Sequence, residues 1–386
     1  MTQGQLEQLP QGIEKIFSQL EMQIMTDIVN RIRENGFSTA TADWEITRLQ
    51  QLGKSEEDIR KWIQEALEAS DDEISRIFSD EVYREYMGHE RAYQSYGLEQ
   101  VPYKDNTALQ TLVEAVSAQT ADTFENITSS MGFAIRGPSG TITYSPLMDF
   151  YRSTLDTALM GIQTGAFSYQ SALERAVNQI SSSGLRWIDY DSGIHNRVDV
   201  AARRALMTGF RQVQGRINQQ TAAALGTDSY EVTFHVGARP SHQLWQGRVW
   251  TMAQLRSVCG LGSVTGLHGA NCYHDYNPFI PGVSERVYTD AWLEEQARKE
   301  NTPKTWGGRQ YTTYEALQYQ RRQETAMRKT RMDIALLKKG EGDPERIKLK
   351  RALYQGQMQK YTVFSKDMHL PEQKERIYQD GLGKVA

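Results

Sequence analysis

Apolar side chains recur at spacings of three and four along most of this chain, the period of an α-helix with one buried face. Over residues 5–35 the stripe runs Leu6, Leu9, Ile13, Ile16, Phe17, Leu20, Ile24, Ile28 and Ile32. It predicts one amphipathic helix, with Gly36 as its stop. Thr41 to Leu52 reads as a second helix ending before Gly53. Ser55 is placed as the N-cap of a third, with Glu56, Glu57 and Asp58 in its first turn. Asp71 begins a fourth, carrying Ile74, Ile77, Phe78, Val82 and Tyr86. Residues 1–100 are therefore expected to form an acidic helical domain.

Residues 101–228 continue the pattern as a second helical domain, with helices over Leu109–Ser130, Pro146–Gly165, Ser168–Ile180 and Val198–Leu225. Phe133–Ile135 and Thr141–Tyr144 flank Gly137-Pro138-Ser139-Gly140 and read as a small hairpin acting as an elbow. Arg203, Arg204, Arg211 and Arg216 on the last helix read as one wet face, because few aromatics are interleaved as a nucleic-acid stripe would require.

The helical period gives way over residues 229–289. Tyr230–Val236 alternates and is rich in β-formers, Gly247–Thr251 reads as another strand, and Asn271–Tyr276 is short and aromatic. Between them Gly260, Gly262, Gly266 and Gly269 mark a turned loop, and Pro278 and Pro281-Gly282 close the segment. These features predict a compact α+β module. Residues 290–386 return to helix, with Tyr311–Lys339 and Pro344–Lys366 joined by a turn at Gly340–Asp343. Each has a thin apolar stripe, including Leu336, Leu337, Leu349, Leu353 and Phe364. The two are expected to pair as an antiparallel basic hairpin that needs a partner surface to bury more. The fold class expected is mainly α, with one small α+β module.

Charge is distributed unevenly. Residues 1–100 carry 10 Lys+Arg against 20 Asp+Glu, and residues 301–386 carry 18 against 10. An acidic head and a basic tail suit contacts with different partners, or with each other. No apolar run is long enough to span a membrane. The start, MTQGQLEQLP, lacks a basic region followed by an apolar core, so a signal peptide is not expected and the chain is expected to be made in a cytoplasm. Two cysteines, Cys259 and Cys272, cannot build a disulfide framework and are expected to stay reduced.

Chemistry-bearing residues concentrate in one place. The chain has seven His and two Cys; His235, His242, Cys259, His268, Cys272 and His274 all fall in the module. One reason for such clustering is a Zn²⁺ site using His242, Cys272 and His274, with Cys259 or His268 as a fourth ligand. Another is structural: the two histidines hydrogen-bond backbone groups beside a buried Cys272, in a module with little core. A third is catalysis, through a Cys272/His274 pair oriented by Asp275 or Asn271, or through a nuclease arrangement of His235, His242 and Arg239. The glycines lack a Gly-Lys-Ser/Thr ending, so they do not read as a phosphate cradle.

The string His235-Val-Gly-Ala-Arg239-Pro-Ser-His242-Gln-Leu-Trp245-Gln246-Gly247-Arg-Val, followed by Gly269-Ala-Asn271-Cys272-Tyr-His274 and Asn277-Pro278-Phe-Ile-Pro281-Gly282-Val, resembles the phage minor capsid protein 2 family. That family is related to the Mu-F-like head morphogenesis proteins. The likeness extends to the helical N-terminal region, the Arg-rich helix before the module, and the later Tyr314-Glu315-Ala316 and Arg321-Arg322-Gln323-Glu324. It implies a low-copy virion protein associated with the portal or the inner capsid, assembled in a host cytoplasm and not established as an enzyme. The family pattern carries a basic residue where this chain has Tyr273, so no phosphate or DNA contact is expected of that side chain; Arg239 and Arg248 remain beside the motif. Packaged DNA is a further partner expected for the basic C-terminal helices. A capsid-borne nuclease or transferase seated in the module is the alternative reading.

Overall fold

A computed structural model describes residues 3–36, 42–137 and 139–384. The first amphipathic stretch is two helices, α1 (Gln3–Gln8) and α2 (Gln11–Asn35), separated by a turn at Leu9–Pro10. Pro10 has no N–H to give an α-helical ladder, so it stands immediately before the second helix. Ile13, Phe17, Leu20, Ile24, Ile28 and Ile32 on α2 are all buried. Gly36 ends it, donating its N–H to Ile32 O at 2.8 Å.

The three helices expected next are one, α3 (Ala42–Arg76). It passes through a π-turn at Ile77–Glu81 into α4 (Val82–Gly88), and α5 (Glu90–Ser95) follows. Ser55 is not an N-cap. It is buried, and its Oγ lies 2.9 Å from both Arg31 Nε and the Tyr151 hydroxyl. A serine drawn into that network has no reason to interrupt the helix. Gly53 has open space around it and is tolerated within α3. Thr41 and Pro138 lie outside the described residues.

Asn106 caps α6 (Thr107–Ser129), its side chain accepting from Leu109 N. The expected hairpin follows as β1 (Met131–Arg136) and β2 (Ile142–Pro146), with Phe133 opposite Ser145. It is more than an elbow. After α7 (Leu147–Gln163) and α8 (Tyr169–Ser183) come β3 (Arg186–Ile188) and β4 (His195–Arg197). Together they make an antiparallel sheet of order β2-β1-β3-β4. Strands three residues long show no alternation for a sequence pattern to reveal.

Helix α9 (Val198–Ala224) runs through the centre, against α2 and α6 on one side. Its arginines do not form one wet face. Arg211 is buried and Arg203 and Arg204 are partly covered, leaving Arg216 exposed. The solvent-facing strip of the helix is Thr208, Gln212 and Arg216, and polar groups off that strip must find partners inside.

The module comes next. Strand β5 (Ser229–Val232) is shorter than the sequence stretch suggested: Thr233 still gives its N–H to Asp275 O at 2.8 Å, but Asp275 N bonds the Thr233 hydroxyl, at 2.8 Å, in place of its carbonyl. Helix α10 (Pro240–Gln243), β6 (Val249–Thr251), α11 (Met252–Ser257) and β7 (Tyr276–Phe279) complete it. The sheet order is β6-β5-β7, antiparallel, with Tyr230 opposite Trp250 and Pro278. Of the stretch read as Asn271–Tyr276, only Tyr276 enters a strand. Its separate core gathers Tyr230, Val232, Trp245, Leu255, Cys259 and Tyr276, among others.

Helix α12 (Asp290–Asn301) leads to a hairpin of β8 (Lys304–Trp306) and β9 (Arg309–Tyr311). Its turn is Gly307-Gly308, both at positive φ (56° and 77°), as a tight two-residue hairpin turn demands. Helices α13 (Thr313–Lys339) and α14 (Pro344–Met368) then pair side by side as expected. The partner surface they need is internal. Met332, Leu336 and Leu337 of α13 join the same core as Ile13, Phe17 and Phe210. The fold is thus mainly α, with small antiparallel sheets and one α+β module.

The last residues fold back through α15 (Glu375–Tyr378). Asp380 then grips the buried Arg331 in two bonds, at 2.7 and 2.9 Å. Removing one partner of such a pair leaves a bare charge in the interior. Asp380→Ala is therefore expected to destabilise the protein by about 3–5 kcal/mol in urea unfolding. A loss below about 1 kcal/mol, the range of exposed pairs, would contradict the pairing.

Candidate functional site

Beyond β5 the chain runs through Phe234 and His235, turns at Gly237, and enters α10. It turns again at Gly247, whose φ is +68° and where a Cβ would meet Leu293 Cδ2 at 2.5 Å. These turns aim His242 and Gln246 inward, both buried. From the other side comes the loop 258–275. Leu267 N bonds Cys259 O and Ala270 N bonds Val264 O, each at 2.8 Å. Gly269 packs so close that a Cβ would lie 2.5 Å from Ser263 O and Val264 O. The expected turned loop is present, and it delivers Cys272 and His274 to His242.

Three atoms then converge. His242 Nδ1 and His274 Nδ1 are 3.4 Å apart. Cys272 Sγ is 3.5 Å from His274 Nδ1 and 3.9 Å from His242 Nδ1. All three side chains are buried. The opposite ring nitrogens are occupied: His242 Nε2 meets Thr265 O at 2.9 Å, and His274 Nε2 meets Gln246 Oε1 at 2.8 Å. Gln246 Oε1 also accepts the His235 backbone N–H at 3.0 Å. Trp245 lies against both rings, with centroids at 4.4 and 4.9 Å.

The other motif residues surround this cluster. His235 packs edge-on to His274 and bonds Tyr273 O through Nε2. Arg239 holds the loop by bonds to Ala270 O (2.8 Å) and Thr265 O (3.4 Å). Asn271 bonds Arg203, as does the Tyr273 hydroxyl at 3.0 Å. Pro278 sits in β7 opposite Tyr230. Pro281-Gly282 forms the closing turn, with Ser284 N on Ile280 O at 2.8 Å. The two residues weighed as a fourth ligand lie elsewhere. Cys259 belongs to the module's apolar core, and His268 bonds Asp275 at 3.0 Å. Asp275 therefore orients His268 rather than His274.

Burial sets the ionisation of the cluster. It pushes His274 well below the usual imidazole range, reinforced by the neighbouring His235 and His242. His242 is lowered for the same reason, against an opposing bond to Thr265. His235 falls to about 4. The rings are thus neutral near pH 7. Burial pushes the Cys272 thiol up and the Cys259 thiol to about 12, the reverse of what activates a nucleophilic cysteine.

The cluster lies at the edge of a cleft of about 720 Å³ between the module and the C-terminal helices, lined also by Arg239, Glu300, Leu317 and Arg321. Glu300 carries no motif, whereas Arg321 belongs to the Arg321–Glu324 stretch of the family likeness. They reach the cleft from α12 and α13. Burial raises the Glu300 carboxyl to about 7, opposed by the Gly237 backbone N–H. Beside this cleft the acidic start and basic end of the chain meet where Arg376 lies 3.9 Å from Glu7, and Arg203 of α9 lies 3.4 Å from Glu14.

These features define a helical protein bearing a small α+β module with a buried ring-rich cluster. Among the described residues no helix is long and apolar enough to cross a membrane. The sequence pattern of the family described as phage minor capsid protein 2 matches residues 1–362. The chain belongs to that family, and it is a structural protein of the phage particle. Comparisons with curated proteins and with solved structures find no match.

Glu300 supplies a test of the cleft. A carboxyl raised from 4.5 to about 7 in the fold contributes stability below pH 4.5 that is lost as pH climbs toward 7. Glu300→Gln keeps the shape and removes the titration. The variant and the parent should be similarly stable near pH 4, and the variant more stable at pH 8, by up to about 3 kcal/mol. Parallel stability curves for the two across this range would show that Glu300 is not held in a dry environment.

Proposed function

We propose that this chain is a low-copy component of a tailed-phage head, seated at the portal or on the inner capsid face near it during assembly in the host cytoplasm. The observation that carries this reading is the family match over residues 1–362. The surface supports it. Helix α3 presents Glu57, Glu65, Glu68, Asp71 and Asp72 to solvent, whereas α14 presents Arg346, Lys348, Arg351, Lys360 and Lys366. Leu349 and Leu353 stand exposed among those cations at 60% and 50%. Two faces of opposite sign on one body suit two different neighbours, portal or capsid protein on one side and packaged DNA on the other.

The relation to Mu-F-like head morphogenesis proteins belongs to the same reading. Cross-linking of purified heads followed by mass spectrometry is expected to recover the chain in few copies, joined to portal or major capsid protein. Virions lacking it would overturn the proposal. The DNA contact has its own signature. Full-length protein should bind duplex DNA with an affinity that falls steeply with salt, and replacing Arg346, Lys348 and Arg351 by Gln should flatten that slope. Binding indifferent to salt would reject the contact with DNA.

A further inference from the structure

We propose that His242 Nδ1, His274 Nδ1 and Cys272 Sγ bind a zinc ion, whose fourth position is open to an exchangeable ligand from the cleft. The first argument is the tautomers. Gln246 Oε1 already accepts a backbone N–H from His235, so it is the amide oxygen that faces His274 Nε2. Thr265 offers only a carbonyl to His242 Nε2. Both Nε2 atoms must therefore donate, and in a neutral imidazole that leaves Nδ1 as a bare lone pair. Two such lone pairs face each other at 3.4 Å in a buried pocket. The one proton of the Cys272 thiol can satisfy only one of them. A cation satisfies both, with the thiol giving up its proton as it ligates.

The second argument is size. Zinc binds histidine nitrogen at about 2.0–2.1 Å and thiolate at about 2.3 Å, in a tetrahedron. Those lengths require ligand separations of about 3.4 Å between nitrogens and about 3.6 Å between nitrogen and sulfur. The separations here are 3.4, 3.5 and 3.9 Å. The donor atoms are already placed as the edges of such a tetrahedron, within a few tenths of an ångström.

Chemistry then selects the metal. Two imidazoles and a thiolate suit zinc and exclude magnesium or calcium, which require oxygen ligands. The carbonyl and amide oxygens behind both rings are the outer partners that orient metal-binding histidines. Positive charge nearby is already engaged. Arg239 is held by backbone carbonyls, and Arg211 lies 3.8 Å from Asp275. No fourth His, Cys, Asp or Glu joins the three among the described residues. All three residues line the cleft, so water is the resting occupant of the fourth position. The ion would also tie α10 to the loop 258–275, in a module with a small apolar core.

The test uses full-length protein purified without a polyhistidine tag or chelator, with zinc read by inductively coupled plasma mass spectrometry. About one zinc per chain is expected, retained in Cys259→Ser and reduced at least tenfold in Cys272→Ser and His274→Gln. Cobalt exchanged into the wild-type protein should show a thiolate-to-metal charge-transfer band and the intense visible bands of a four-coordinate ion. Added azide should shift those visible bands, reporting the exchangeable position. Zinc near zero after incubation with zinc salt, or zinc kept in Cys272→Ser, overturns the proposal. If Cys272→Ser fails to fold, the wild-type cobalt spectrum decides: no thiolate band means no such site. A thiolate band that azide leaves unmoved overturns the open position.

Discussion

Helix α9 is the constraint on which the rest of the structure depends. Apart from an exposed strip at Thr208, Gln212 and Arg216 it is packed by its neighbours, and it serves two cores at once. Ala202, Leu206, Phe210, Val213 and Ile217 pack into the large helical core. Its C-terminal half meets the module, where Ala222 joins the smaller core and Asn218 bonds Asp275 at 3.1 Å. A helix placed this way must bury polar groups, and an unpaired one would cost several kcal/mol. Gln214 answers by bonding both Arg211 and Glu85, the latter at 2.8 Å. Asp275 accepts from His268 and Asn218 and lies beside Arg211, so its carboxyl is held down at about 2. The cluster of rings is positioned from this base, because Asp275 adjoins His274 in the chain.

The helical character of the chain was legible in its sequence because it rests on long repeats of one period. α2, α6, α9, α13 and α14 each span many turns, and their buried stripes survive any local irregularity. Boundaries were less legible. Ser55 has the chemistry of a cap, yet tertiary packing turns it toward Arg31 and Tyr151. Pro10, in contrast, ends a helix by its own covalent structure, and the continuous stripe around it concealed the break. Strand β4 pairs with β3 across a short turn, and β3 docks on β1, which lies far away in sequence; three-residue strands are too short for either pairing to show as alternation. The Gly307-Gly308 turn did carry a local signal for the hairpin of β8 and β9, although its strands are too short to alternate visibly.

The candidate site divides in the same way. Its members were legible through concentration alone: most of the His and both Cys fall within the module. The trio His242, Cys272 and His274 was named from the sequence, but the exclusion of Cys259 was not legible, since both cysteines are buried and only Cys272 faces the rings. That choice is made by the fold of the loop 258–275. The tautomers depend on Gln246 and Thr265, residues with no ionisable chemistry of their own. Glu300 gave no signal either, because burial by α13 and the Gly237 turn, rather than its spacing, sets it apart.

We propose a place inside the phage head, with the two charged faces given to two neighbours. Cryo-electron microscopy of the intact head, reconstructed without imposed icosahedral symmetry, measures that placement directly. Density fitted by the α9-centred body at the portal vertex, with α14 turned toward packaged DNA, is the expected result. Density for the chain on the outer capsid surface, or α14 turned away from DNA and buried in shell protein, would contradict it.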